Sequence, residues 1–193
     1  MNTERPASRQ PMPPHAKRVF KGVMFDVYQW EQAMFDGSTA TFEKIKRRDT
    51  AVVIPVMEDG RIVISEQEQP DKPKFTSMLG GRVDESEGPL AAAKRELHEE
   101  GGFGAHELVL LRAVQPVAKI DWTVYTYIAR GCRKVAEPHL DAGERITLRF
   151  VTFDEFIDEV LSHGFADLEL TVEVLRALQE PDGREKLRQR ILG

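Results

Sequence analysis

Between Gly81 and Phe103 seven residues stand at fixed offsets, Gly81, Glu87, Arg95, Glu96, Glu99, Glu100 and Gly102, and they gather negative charge where a helix does not normally tolerate it. The stretch Pro89 to Glu100 reads as that helix. Proline suits its first turn, Ala91 to Ala93 are strong helix formers, and Gly102 follows its end. Leu90, Ala93 and Leu97 then share one face, and Glu96, Glu99 and Glu100 lie side by side next to it at i, i+3 and i+4. The helix C-terminus is the negative end of its dipole, so only Arg95, one turn from Glu99, offsets the repulsion locally. A divalent cation would complete the compensation. Carboxylate oxygens select hard cations such as magnesium, manganese or calcium, and magnesium is usually shared with substrate phosphates, which points to a phosphate ester or anhydride. The competing reading is a solvated acidic helix face. The spacing argues against it.

The segment GRVDESEGPLAAAKRELHEEGGF resembles the Nudix signature, G-x5-E-x7-R-E-U-x-E-E-x-G-U with U apolar, and meets every position, Leu97 and Phe103 supplying the apolar ones. The resemblance implies a magnesium-dependent hydrolase, with manganese as a substitute, acting on a nucleoside diphosphate linked to another moiety. Carried over by position, Glu96, Glu99 and Glu100 would hold metal, Glu99 being also a catalytic candidate. Arg95 and Glu87 would orient the glutamates and brace the loop-helix-loop. Gly80 and Gly81 would bring backbone carbonyl to the metal, with Gly81, Glu87 and Gly102 structural in the motif. In the ADP-ribose pyrophosphatase branch a further acidic loop precedes a late strand, and here it runs Asp141, Ala142, Gly143, Glu144. Glu144 matches the family's loop glutamate that completes the metal site. Asp141 is the weaker candidate for base; the E-x-E pair of some relatives is incomplete here, Ala142 occupying its first position, which leaves the base unassigned between them.

The same resemblance extends to Arg18–Arg47, which looks like the N-terminal strand region that family members use to dimerise. An Asp36-Gly37 pair between strand-like runs is a hairpin signal, with Thr39 to Ile45 returning as partner strand. Strands are expected at Ala51–Met57, Arg61–Gln67, Leu108–Val114, Thr123–Ala129 and Arg145–Thr152, followed by helices carrying Phe153, Phe156, Ile157, Val160 and Leu161, then Leu168, Val172, Leu175 and Leu178. These elements fit the Nudix α/β/α sandwich with a mixed sheet and a small N-terminal antiparallel β subdomain. The expected division is a flexible tail over 1–15, the β subdomain over 16–49, and the hydrolase domain over 50–193.

Substrate recognition lies outside the signature. Where the ADP-ribose branch has Gln-x-Arg before its Gly loop, this chain has Gln67, Glu68, Gln69, so a fixed cation is lost and Lys119 is a candidate replacement. Trp30 and Tyr28, with Phe25 and Trp122, are candidates for stacking a nucleobase, and core packing is the alternative for each. The basic run Lys44, Lys46, Arg47, Arg48 reads as a solvated strand edge, the lining of a dimer cleft being the alternative. The five histidines show no ligand spacing, and the single cysteine, Cys132, excludes an internal disulfide.

At 193 residues, 41% hydrophobic and 31% charged, the chain can bury one sizeable core. A net charge of -5 disfavours a nucleic-acid partner but not a nucleotide-sized ligand. No run of about 18 apolar residues and no hydrophobic signal core is present, so no membrane partner is expected and cytoplasm is the expected compartment. The resulting expectation is hydrolysis of ADP-ribose or a related nucleoside diphosphate sugar by a homodimer. The alternatives are another nucleoside diphosphate derivative, such as GDP-mannose or a dinucleotide, and a non-catalytic nucleotide-sensing module.

Overall fold

Alternation along one strand organises the molecule. The computed structural model describes residues 5–140 and 142–193. Its elements run β1 (Lys17–Lys21), β2 (Asp26–Ala33), β3 (Thr39–Lys46), β4 (Thr50–Met57), β5 (Ile62–Gln69), β6 (Lys72–Ser77), β7 (Leu79–Arg82), α1 (Pro89–Gly101), β8 (Phe103–Gly104), β9 (Glu107–Val114), β10 (Ile120–Asp121), β11 (Val124–Lys134), β12 (Arg145–Val151), α2 (Phe153–Val160), α3 (Leu168–Leu178) and α4 (Gly183–Leu192). In β4 every residue from Ala51 to Val56 is buried, as a strand covered on both faces requires. Val52, Ile54 and Val56 join the core formed with α2, α3 and α4. Ala51 and Val53 point the other way, into a core closed by Ala92, Ala93 and Leu97 of α1. Two helical layers on one sheet give the expected α/β/α sandwich.

The sheet is mixed: β4 and β11 run parallel from Val124 opposite Thr50, whereas β4 with β7, β5 with β12 and β11 with β9 are antiparallel. A second sheet among the described residues has the order β1-β2-β3-β10. Its hairpin between Ala33 and Thr39 uses a five-residue connection, with Asp36 Oδ1 accepting from the Ser38 amide at 3.0 Å and Gly37 at positive φ. Lys119 and Asp121 return from the main domain to accept hydrogen bonds from the Ile45 and Arg47 amides, so the small sheet is tied to the large one.

Several expectations are revised. Leu90 is exposed; the buried face of α1 is Ala92, Ala93, Glu96, Leu97 and Glu100, because two glutamates occupy places an amphipathic helix usually gives to apolar residues. Lys44 is not a solvated edge residue but is 2% exposed, its Nζ donating to Ser8 Oγ at 2.8 Å and the Gln10 carbonyl at 2.6 Å. The described part of the N-terminal tail is therefore docked. Arg5 adds a fork onto Asp49 and a third bond to Asp121, each within about 3.1 Å. β6, β7 and α4 had no counterpart in the sequence reading. β7 holds two glycines, which leaves no side-chain alternation to read.

Candidate active site

The signature folds as a loop, α1 and a second loop, and Arg95 ties all three together. Its Nη1 donates to Glu96 at 2.7 Å and Glu99 at 2.9 Å, and its Nη2 to Glu87 at 2.7 Å and the Arg82 carbonyl at 2.9 Å. Glu87 in turn accepts from the Asp84 amide at 3.1 Å, closing the loop before the helix. With its donors committed to protein oxygens, Arg95 positions the carboxylates and braces the motif. α1 ends at Gly102, whose φ of 67° lets its amide satisfy the His98 and Leu97 carbonyls.

β7 supplies the opposite wall. A Cβ at Gly81 would lie 2.3 Å from Glu96 Oε1, so the absence of a side chain there is what admits the carboxylate. A Cβ at Gly80, where φ is 153°, would lie 2.3 Å from the Ala51 carbonyl oxygen of β4. The Gly80 amide donates to Glu100 Oε2 at 2.7 Å. Two residues earlier, where the chain passes from β6 to β7, the Met78 amide donates to Asp167 Oδ2 at 2.7 Å, pinning this strand to the start of α3.

Glu96 and Glu100 are 8% and 6% exposed. Burial pushes the Glu100 carboxyl up to about 8, with Glu96, Glu144 and Asp167 adding repulsion and the Gly80 amide opposing. Burial likewise raises Glu96, against Arg95 and with help from Glu99 and Glu144. Glu144, from the loop before β12, is therefore electrostatically coupled to both. Among the described residues no three ligand-type side chains converge into a ready-made cage; Glu96 and Glu99 share Arg95 Nη1, and Glu100 accepts from the Gly80 amide. The donor set nevertheless fits a hard divalent cation: closely spaced carboxylate oxygens, two of them on buried residues and costly to leave uncompensated.

These carboxylates line a cavity of about 550 Å³ that also reaches Gln69, Gly80, Gly81, His139 and Leu140. Met24, Arg47 and Arg82 border it and also line a second cavity of about 560 Å³ containing Tyr28. Gln69 is thus brought to the carboxylate cavity, whereas Tyr28 lines only the second one. Trp30 lines neither: it is 6% exposed, packs on Phe42 and donates to Gln32 Oε1 at 3.1 Å, because the small sheet uses it as its own core. Lys119 lies over the Phe42 ring at 4.7 Å and lines neither cavity. Asp141 lies outside the described residues.

Sequence reasoning missed Arg47, Arg82 and His139 at the site. Arg47 belonged to a basic run, Arg82 fills a variable signature position, and His139 precedes the acidic loop. Only His139 carried a local hint, its nearness to that loop; in the structure its amide donates to the Glu99 carbonyl at 2.7 Å. Cys132 is buried, donates to the Ala129 carbonyl, and burial raises its thiol to about 11, consistent with an inert side chain.

Comparison with known proteins agrees with this geometry. The chain is 25% identical over 154 residues to an ADP-ribose pyrophosphatase of Bacillus subtilis, covering 78% of this chain and 83% of that protein. It is 27% identical over 100 residues to the ADP compounds hydrolase NudE of Escherichia coli, covering 51% and 54% of the two chains. A methanol dehydrogenase activator of Bacillus methanolicus is 23% identical over 161 residues, covering 82% and 87%. A crystal structure of an ADP compounds hydrolase superposes with a TM-score of 0.71 at 18% identity, over 93% of this chain and 99% of that one. Residues 46–171, which carry the braced loop-helix-loop and the glycine strand facing it, match the NUDIX domain, and the chain belongs to that family.

Proposed function

We propose that this protein hydrolyses the diphosphate bond of ADP-ribose or a related nucleoside diphosphate sugar, giving a nucleoside monophosphate and a sugar phosphate. The observation that carries the reading is the juxtaposition of the Glu96, Glu99, Glu100 and Glu144 carboxylates with Arg47 and Arg82 at one cavity mouth. That arrangement suits a polyanion bridged by cations on one side and gripped by guanidinium groups on the other. The similarity to an ADP-ribose pyrophosphatase supports the substrate class.

Magnesium, with manganese able to substitute, is the proposed cation; when bound it supplies charge neutralisation of the diphosphate and lowers the pKa of a water. Glu96, Glu99, Glu100, Glu144 and the Gly80 carbonyl are its proposed ligands. Water oxygen forms a bond to one phosphorus, the bridging P–O bond breaks with its electron pair leaving on the other phosphate, and the water proton passes to a carboxylate. Glu99 and Glu144 are the candidates to receive it, with Asp141 the weaker one. Glu99 is the most exposed acid of the α1 trio, and among the described residues its side chain bonds only to Arg95. Gln69 and Tyr28 are placed to contact the moieties flanking the diphosphate.

A homodimer through the N-terminal sheet is proposed with this activity. Val19, Phe20, Val23, Met24 and Phe25 are all at least 40% exposed there, an apolar concentration that a second copy would cover. Among the described residues no helix is long and apolar enough to cross a membrane. A small-molecule ligand and a cytoplasmic location are proposed accordingly.

Divalent-dependent turnover of ADP-ribose, ADP-glucose, GDP-mannose and a dinucleoside polyphosphate by the purified protein, with chromatographic product identification, tests the reading. The expected result is nucleoside monophosphate plus sugar phosphate from an ADP-sugar. Binding without turnover of any of them would instead favour a sensing module.

A further inference from the structure

The second cavity is strongly basic in a chain of net charge -5. Arg18, Lys21, Lys46, Arg47, Arg48 and Arg82 line it against two carboxylates, Asp26 and Glu85. Those two are already committed: Asp26 pairs with Arg18 at 3.2 Å, and Glu85, with Asp84, faces Arg48. Among the described residues no carboxylate pairs with Arg47, Arg82, Lys21 or Lys46.

Arg47 is the least satisfied of them. Its guanidinium carbon sits 4.6 Å from the Trp122 ring centroid and 5.7 Å from that of Phe25, so two aromatic rings fix the group in place. Among the described residues its buried Nε has no hydrogen-bond partner. Arg82 approaches as a like charge, and together with burial it lowers the Arg47 pKa. Two neighbouring guanidinium groups that line the cavity and that no carboxylate among the described residues neutralises favour an anion there. Both border the carboxylate cavity, yet the rest of the basic lining extends away from it, into a space large enough for one half of a dinucleotide-like molecule.

We propose that this cavity is an anion subsite for a phosphate monoester that the substrate carries in addition to its bridging diphosphate. The inference rests on the hydrolase reading and narrows it: the preferred substrate is a nucleoside diphosphate derivative with a further phosphate on one of its two moieties. A neutral sugar would leave Lys21, Lys46 and the rest of the basic lining beyond the diphosphate without an anion. A phosphate monoester brings about two negative charges at neutral pH and three acceptor oxygens, which matches paired arginines backed by lysines.

The test compares kcat/KM for ADP-ribose with that for ADP-ribose 1″-phosphate and ADP-ribose 2′-phosphate, which place the extra group on the distal or the nucleoside half. Preference of about tenfold or more for either isomer, erased by Lys21→Gln and by Lys46→Gln with ADP-ribose turnover changed less than threefold, supports the subsite and says which half enters it. Both side chains are exposed, so neither variant threatens the fold. Equal kcat/KM for all three substrates overturns it, as does a Lys46→Gln loss that is the same for ADP-ribose and the phosphorylated isomers, which would assign the lysine to the diphosphate itself. If none of the three is hydrolysed, the hydrolase reading fails separately. Calorimetric binding of inorganic tripolyphosphate to the metal-free protein then decides the subsite: affinity weakened by Lys21→Gln and Lys46→Gln supports it, and unchanged affinity overturns it.

Discussion

The Glu100 carboxylate and the Gly80 amide are joined at 2.7 Å across the interface between α1 and β7, so one glutamate is both the deepest acid of the site and the link that holds helix to sheet. Glu100→Gln keeps an acceptor for that amide and removes the charge. Divalent-dependent turnover is expected to fall by on the order of 10²–10³, with the fold unchanged. Steady-state kinetics beside circular dichroism checks this; retained turnover would remove Glu100 from the metal site.

Gly80 and Gly81 are expected to separate stability from activity. Gly80→Ala drives Cβ onto the backbone oxygen of Ala51, which cannot swing away, and should cost roughly 1–3 kcal/mol in denaturant unfolding. Gly81→Ala meets only the carboxylate end of Glu96, which can move. Its melting temperature should change little while turnover drops. Equal effects of both variants on stability would contradict the geometry.

The raised Glu100 carboxyl sets a pH dependence. Its folded value of about 8 lies above the ordinary carboxylate range, so between roughly pH 4.5 and 8 the folded metal-free protein holds a proton that the unfolded chain lacks. Stability in the presence of chelator should therefore fall as pH rises through that window. Cation binding requires the carboxylate, so manganese affinity should rise over the same window with release of a proton, and flatten above about pH 8. Melting curves with chelator, and calorimetry in buffers of different ionisation enthalpy, would detect both. A pH-independent manganese affinity would count against burial of Glu100 as a metal ligand.

Glu144 is coupled to Glu96 and Glu100. Glu144→Gln is expected to lower turnover far more than Asp141→Asn. The reverse order in measured kcat would exchange the two roles.

Deletion of residues 1–12 removes the acceptors of Lys44 and the fork of Arg5 onto Asp49 and Asp121. The lost hydrogen bonds predict a loss of about 1–3 kcal/mol, or roughly 5 °C in melting temperature for a domain of this size. An unchanged melting temperature would restore the view that this segment contributes little to folding.

The chemistry of the signature was legible because its determinants are local. A helix fixes where i, i+3 and i+4 side chains point, so the adjacency of Glu96, Glu99 and Glu100, the reach of Arg95 to Glu99 and the stop at Gly102 all follow from spacing alone. The strands of β4 and β11 declared themselves through continuous apolar runs, which only burial on both faces sustains. Tertiary structure decided what depends on distant segments meeting. Tyr28 and Trp30 stand two residues apart on β2 and so share one face of the strand, yet only the packing of the small sheet sent Trp30 into its core and left Tyr28 at a cavity. Gln69 reached the site and Lys119 did not, for the same reason. Arg47 reads as one more residue of a basic run until Phe25, Trp122 and Arg82 surround it. Its environment is assembled from four segments remote in sequence, and a charge acquires its meaning from the groups that desolvate it and from those that fail to pair with it.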